Sequence, residues 1–144
     1  MLPRVIRLSQ APLVAIVDDD EAVREALSDL LQVLDLSCRT FDRAEAFMAD
    51  FEPGKFDCLI TDLSMPGYSG IDLLRRLRSL GSPIPVIIVT ADASPATRSH
   101  ATQEGAHAYL TKPVYSNELL HELQVVLDRT SDSARGRPET RSDG

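Results

Sequence analysis

The stretch Leu13–Val17 (LVAIV) is apolar without interruption, the pattern of a strand covered on both faces of a sheet. From Glu21 to Asp35 the period changes. Val23, Ala26, Leu27, Leu30, Leu31 and Leu34 recur at spacings of three and four, which predicts a helix with one apolar face. Ser37–Phe41 is a short second strand, and Asp42 followed by Glu45 predicts a capping box that opens a helix over Arg43–Phe51. After Pro53-Gly54 a third strand, Asp57–Thr61 (DCLIT), ends just before Asp62. The following loop, Leu63–Gly70, is rich in turn formers, and Ile71–Leu80 is expected to be helical. Leu74 and Leu77 would face inward there and Arg75, Arg76 and Arg78 outward, with Gly81 as the C-terminal cap. Pro83 and Pro85 precede a fourth strand, Val86–Thr90 (VIIVT), as proline is tolerated where a strand begins. Ser94-Pro95 suits the start of a helix that runs to Glu104 and stops at Gly105. Its only apolar residues are alanines, so it is expected to be loosely held. His107–Leu110 is a fifth strand, and Ser116 caps a last helix whose apolar face is Leu119, Leu120, Leu123, Val126 and Leu127.

Five strands alternating with five helices predict an open, doubly wound α/β fold with a parallel sheet. Right-handed crossovers place helices on both faces and a ligand site beyond the carboxyl ends of the strands. At 144 residues the chain is the size of one domain, expected over 13–129, after an N-terminal extension 1–12 and before a flexible polar tail or linker 130–144. Hydrophobic residues at 43% and charged residues at 26% fit a soluble protein, and no apolar run approaches the roughly 20 residues that cross a bilayer. Arg4 and Arg7 interrupt the first twelve residues, which lack the apolar block of a signal peptide, so a cytoplasmic location is expected. A net charge of −7 argues against direct binding to nucleic acid, which relies on Lys and Arg neutralising phosphates. Cys38 and Cys58 have no His or Cys at metal-ligand spacing and are expected to be reduced core residues.

The acids of Asp18-Asp19-Asp20-Glu21 repel one another at the corner between the first strand and first helix. Capping of the helix accounts for Asp20 and Glu21, since acids favour helix N-termini. It explains too little of Asp18 and Asp19, because one cap needs one side chain. In the expected topology their neighbours are Asp62 at the end of the third strand, Thr90 at the end of the fourth and Lys112 after the fifth. Taken singly, Thr90 reads as a strand-end hydroxyl and Lys112 as a solvated loop lysine; their convergence with three carboxylates speaks for a site. Such a carboxylate set calls for a hard cation such as Mg²⁺, which often completes its octahedron with phosphate oxygens.

The segments IVDDDE, TDLSMPGYSG, VIIVTA and YLTKP, in this order, resemble the receiver domain of two-component response regulators, whose fold is flavodoxin-like, similar to that of chemotaxis regulators. The resemblance covers about 13–129. It implies strand order 2-1-3-4-5, Asp62 as phosphoacceptor, and Mg²⁺ held by Asp18, Asp19, Asp62 and the backbone carbonyl of Ser64. It implies that Thr90 and Lys112 contact the phosphoryl group, that Lys112-Pro113 is a cis peptide, and that Ser64 and Asp92 tune the lifetime of the mark. At Asp92 two readings stand side by side: orientation of a water, or a plain loop acid. Phosphorylation would draw Thr90 inward and let Tyr109 swing into the vacated space; the other reading of Tyr109 is a half-buried tyrosine with its hydroxyl at the surface. The implied surface for partners joins the Ser94–Glu104 helix, the Tyr109 strand and the last helix. The implied donor is a phosphohistidine of a histidine kinase or phosphotransfer protein. The implied output is a downstream protein partner, an output domain lying outside this chain, or a phosphorylation-dependent homodimer, with no membrane partner. The chain would then be a signalling switch with self-catalysed phosphotransfer and slow autodephosphorylation, standing alone or belonging to a longer transcription factor. The enzyme alternative is a Mg²⁺-dependent phosphohydrolase with an aspartyl nucleophile, against which Ser64 occupies the place of the usual second aspartate. A flavin-binding module of the same architecture would need its first loop to cradle a phosphate, which Asp18–Glu21 would repel.

Overall fold

A computed structural model describes residues 12–135. Its strands are β1 (Leu13–Val17), β2 (Ser37–Phe41), β3 (Cys58–Thr61), β4 (Val86–Thr90) and β5 (Ala108–Thr111). Its helices are α1 (Glu21–Val33), α2 (Ala44–Asp50), α3 (Gly70–Ser79), α4 (Pro95–Gln103) and α5 (Ser116–Arg135). The strands form one parallel sheet in the order β2-β1-β3-β4-β5, the doubly wound arrangement expected. Among the described residues no helix is long and apolar enough to cross a membrane.

Alternation along the strands sorts the core into two layers. Ala15, Val17, Leu59, Val86, Ile88 and Tyr109 face α2, α3 and α4, where Phe47, Leu73, Leu74, Leu77 and Ala101 meet them. Val14, Ile16, Cys58, Ile60, Ile87 and Val89 face α1 and α5, meeting Leu27, Leu31, Leu119, Leu123 and Val126. The unbroken apolar runs of β1, β3 and β4 thus belong to the strands with a neighbour on either side and a helical layer on either face.

Several boundaries depart from the sequence pattern, each for a local reason. Helix α1 ends at Val33, and Asp35, expected inside it, turns the chain at φ 63°, a conformation in which Asp is among the better tolerated side chains. Ala26 lies exposed on the edge of the apolar face rather than within it. The capping box expected from Asp42 and Glu45 does not form: Arg43 is the N-cap of α2 and makes no side-chain cap bond, so Asp42 stands one residue too early. Asp42 instead accepts from Arg43 Nε at 3.2 Å. The true capping box belongs to α3, where Ser69 Oγ accepts from Asp72 N–H at 3.1 Å and Asp72 Oδ2 from Ser69 N–H at 3.1 Å.

Arg78, expected outward, folds back along its stem to donate to the carbonyls of Ser82 at 3.0 Å and Ile84 at 2.9 Å and, across to the α4–β5 turn, Gly105 at 2.9 Å. Gly81 ends α3 in the left-handed region at φ 80°, as its place after the periodic residues predicts. Strand β5 is shifted one residue later than expected, and Ser116 is the first residue of α5 instead of its cap. Helix α5 continues to Arg135, so 130–135 are helical where a flexible tail was expected; the rest of that tail and residues 1–11 lie outside the described residues.

Candidate functional site: an acidic pocket at the strand ends

Register alone brings the acids together. Val17 of β1 pairs with Thr61 of β3, so the residues that follow, Asp18 and Asp62, leave the sheet side by side, and Asp62 N–H donates to the Val17 carbonyl at 3.1 Å. On the other flank Thr90 pairs with Thr111, and Lys112 N–H donates to the Thr90 carbonyl at 2.8 Å. Lys112-Pro113 is a cis peptide, as the resemblance implied.

Asp18 is 2% exposed and Asp62 7% exposed, a degree of burial that carboxylates tolerate only with partners. Lys112 Nζ donates to Asp18 Oδ2 at 3.0 Å and to Asp62 Oδ2 at 2.9 Å. The second oxygen of each acid is fixed by backbone: Asp18 Oδ1 accepts from Asp20 N–H at 2.9 Å, and Asp62 Oδ1 from Leu63 N–H at 2.6 Å and Ser64 N–H at 3.2 Å. Carboxylate oxygens of Asp18, Asp19 and Asp62 lie within 4.8 Å of one another, with Asp19 exposed at the mouth. Three carboxylates gathered around one ammonium leave negative charge uncompensated, and an all-oxygen donor set of this kind fits a hard divalent cation.

Burial, more than the neighbouring charges, governs the titration of Asp18. Burial raises the Asp18 carboxyl above its ordinary value; the Asp20 N–H and Lys112 oppose the rise and Asp62 adds to it. Burial pulls the Lys112 ammonium down, but its bonds to Asp62 and Asp18 more than offset that and leave it above the ordinary lysine value. The Asp20 carboxylate takes no part in the cluster. It is the N-cap of α1, its Oδ1 accepting from Ala22 N–H at 2.9 Å and Val23 N–H at 3.4 Å, as the capping reading required.

Thr90 is buried at 1% exposure, and its Oγ1 accepts from Asp92 N–H at 3.4 Å. Asp92 Oδ1 accepts from Ser94 N–H at 2.8 Å. Tyr109 is 6% exposed, and its hydroxyl donates to the Asp92 carbonyl at 2.6 Å. Ser64 sits exposed on the loop after Asp62.

The sequence pattern did not single out several supports of the pocket. Arg24 Nη1 donates to the Asp18 carbonyl at 2.8 Å, pinning the β1 exit from α1. Thr61 Oγ1 donates to the Asp62 carbonyl at 3.0 Å. Gly70 packs directly on the Asp62 backbone: a Cβ there would overlap the Asp62 carbonyl oxygen and approach Leu63 Cα to 2.9 Å. A glycine in a turn-rich loop carries a turn signal; its close approach to a residue eight positions earlier becomes visible only in three dimensions.

The response regulator receiver domain profile matches residues 14–124. The response regulator protein TodT of Pseudomonas putida is 37% identical over 118 residues, 82% of this chain and 52% of that protein. The transcriptional regulatory protein FixJ of Bradyrhizobium diazoefficiens is 33% identical over 121 residues, 83% of this chain and 58% of that protein. Among solved structures, a CheY-like receiver domain protein from Methanospirillum hungatei superposes with TM-score 0.79 at 27% identity, over 86% of this chain and 99% of that one. The chain thus spans about half the length of the curated relatives it matches, and nearly the whole of a receiver domain.

Proposed function

This chain belongs to the response regulator receiver family, and from that premise we propose that it is a phosphorylation switch in which Asp62 accepts a phosphoryl group from a phosphohistidine. The observation that carries the proposal is the buried Asp62 carboxylate, one oxygen held by two backbone N–H groups and the other by Lys112, inside a cluster of acids from two strand ends. A carboxylate fixed at both oxygens is positioned for in-line attack, and phosphoryl transfer depends mainly on such positioning and on charge neutralisation.

In the transfer an Asp62 oxygen forms a bond to phosphorus as the phosphorus–nitrogen bond of the donor imidazole breaks, and the ring nitrogen leaves with the electron pair. Lys112 turns from balancing two carboxylates to meeting the phosphoryl oxygens, and Thr90 offers its hydroxyl to another. Asp18, Asp19, Asp62 and the Ser64 carbonyl would hold Mg²⁺, which when bound supplies positive charge for the oxygens of the phosphoryl group. In hydrolysis water attacks phosphorus, the Asp62 carboxylate leaves and inorganic phosphate is released. Ser64, two residues after Asp62, and Asp92, two after Thr90, tune access of that water and so the lifetime of the mark.

The new charge of about −1.5 to −2 is read through Thr90 and Tyr109 by the face made of α4, β5 and α5. The partners that fit this reading are a histidine kinase or phosphotransfer protein as donor and, downstream, a protein partner, an output domain or a second copy of the chain. In intact-mass measurement with acetyl phosphate and Mg²⁺ the native chain should gain one phosphoryl group and Asp62→Asn none. Equal labelling of both, or none of either, would end this assignment, and steady turnover of small phosphate esters would favour a hydrolase instead.

A further inference from the structure

Helix α4 buries one side chain, Ala101, so apolar packing contributes little to holding it on the sheet. Polar contacts of its first turns supply what packing does not. Arg98 Nη1 donates to the Tyr109 carbonyl at 3.1 Å, and the guanidinium carbon lies 4.8 Å from the centroid of the Tyr109 ring. A planar guanidinium can stack on a ring and still donate in its own plane, which an ammonium cannot. From the ring the network continues: the Tyr109 hydroxyl donates to the Asp92 carbonyl at 2.6 Å, and Asp92 Oδ1 accepts from Ser94 N–H at 2.8 Å. Ser94 Oγ in turn accepts from Thr97 N–H at 3.3 Å, and the Ser94 carbonyl from Arg98 N–H at 3.0 Å. The bonds close a circuit from Asp92 through Ser94, Arg98 and Tyr109 back to Asp92, and it touches the site at one point, where Asp92 N–H donates to Thr90 Oγ1 at 3.4 Å.

We infer that Arg98 is a latch that holds Tyr109 in its buried position before any phosphoryl group arrives, so that this receiver stands already biased toward the conformation phosphorylation selects. The inference rests on the switch roles of Thr90 and Tyr109 proposed above. Swinging Tyr109 outward would break its hydroxyl bond to Asp92 and unstack it from Arg98 together, so the outward state loses two contacts at once. A ligand that favours the buried state then binds without first having to move the ring, and its apparent affinity is correspondingly high. The latch also couples α4 to β5, so the helix with the least buried apolar surface moves only when Tyr109 does.

The test places 3-fluorotyrosine at position 109 alone in the full chain and follows its fluorine resonance in chelator and then with Mg²⁺ and beryllofluoride. The native protein should show a solvent-shielded resonance in chelator that beryllofluoride moves little. Arg98→Met keeps the length of the stem but removes charge and donors; its resonance should shift to a solvent-exposed position in chelator. Beryllofluoride should draw it back, with half-saturation at roughly fivefold higher concentration than in the native protein. Arg98→Lys should fall between the two, and it carries the same comparison if circular dichroism shows Arg98→Met to be unfolded. A shielded resonance in Arg98→Met, or an exposed one in the native chain in chelator, overturns the latch. Failure of the receiver reading looks different: beryllofluoride then moves neither protein, while the chelator spectra still decide the role of Arg98.

Discussion

Gly70 shows how a single residue can matter to the pocket without reaching into it. Its missing side chain leaves room for the Asp62 carbonyl, and its N–H donates to the Leu63 carbonyl at 3.0 Å, so backbone meets backbone where the strand end passes the start of α3. A methyl group at this position must displace the backbone that carries Asp62. Gly70→Ala should therefore lower stability by about 1–3 kcal/mol in urea unfolding, the range for overpacked sites. It should also slow labelling by acetyl phosphate, because Asp62 shifts with its backbone; a variant with native stability and native labelling would show that the loop gives way freely. The residues gathered at the strand ends, Asp18, Asp19, Asp62, Thr90 and Lys112, were legible in the sequence because each is a polar group at or just past the end of an apolar run. Gly70, Arg24 and Arg98 were not, because what defines them is a contact with backbone across a turn, beyond the reach of helix or strand period, and neither periodicity nor local spacing encodes such a contact.

At the scale of elements the acid run after β1 divides by function. Asp20 faces the orphan N–H groups of α1, whereas Asp18 and Asp19 turn toward Asp62. The division gives opposite expectations for neighbouring substitutions. Asp20→Ala should lower stability by about 1 kcal/mol and leave Mg²⁺ affinity near native, as removal of an N-cap does. Asp19→Asn should weaken Mg²⁺ binding, followed by calorimetric titration, and leave stability in chelator native or slightly higher, since an exposed acid of a repelling cluster is lost. If the two effects are exchanged, the assignment of cap and ligand must be exchanged with them.

The strands and the apolar faces of α1, α3 and α5 followed from hydrophobic period because burial against the sheet decides them. The start of α2 did not. It has no side-chain cap, and Phe47 inside it meets Phe41 of β2 edge-on with centroids 5.5 Å apart, a tertiary contact that local spacing does not encode. The weakness of α4 was legible from its alanines, but the polar latch that compensates for it depends on Arg98 meeting β5, a tertiary contact.

For the molecule as a whole, the acidic pocket sets a conflict between stability and function. The sheet forces Asp18 and Asp62 together whether or not a cation is near, and Lys112 balances only part of their charge. Burial, with the Asp62 charge a smaller cause, adds to that conflict by raising the Asp18 carboxyl. Because its folded-state value lies above its unfolded one, its favourable contribution is complete below the ordinary value of 3.8 and is lost as pH rises through the raised value. At neutral pH the cation-free fold therefore carries a penalty that Mg²⁺ should relieve. At a hundredfold excess over Kd, Mg²⁺ should add about 2.7 kcal/mol, roughly 8 °C in Tm for a chain of this size. That gain should shrink as pH falls toward the raised Asp18 value, since protons then compete for the same oxygens. Asp62→Asn removes one of the repelling charges while leaving Lys112 its bond to Asp18. In chelator the variant should melt at or above the native temperature, and Mg²⁺ should raise its Tm far less. An Asp62→Asn protein markedly less stable than native in chelator would mean that the Lys112 bridge outweighs the repulsion, and that the pocket is a structural ion pair rather than a site kept under charge strain for a cation and a phosphoryl group.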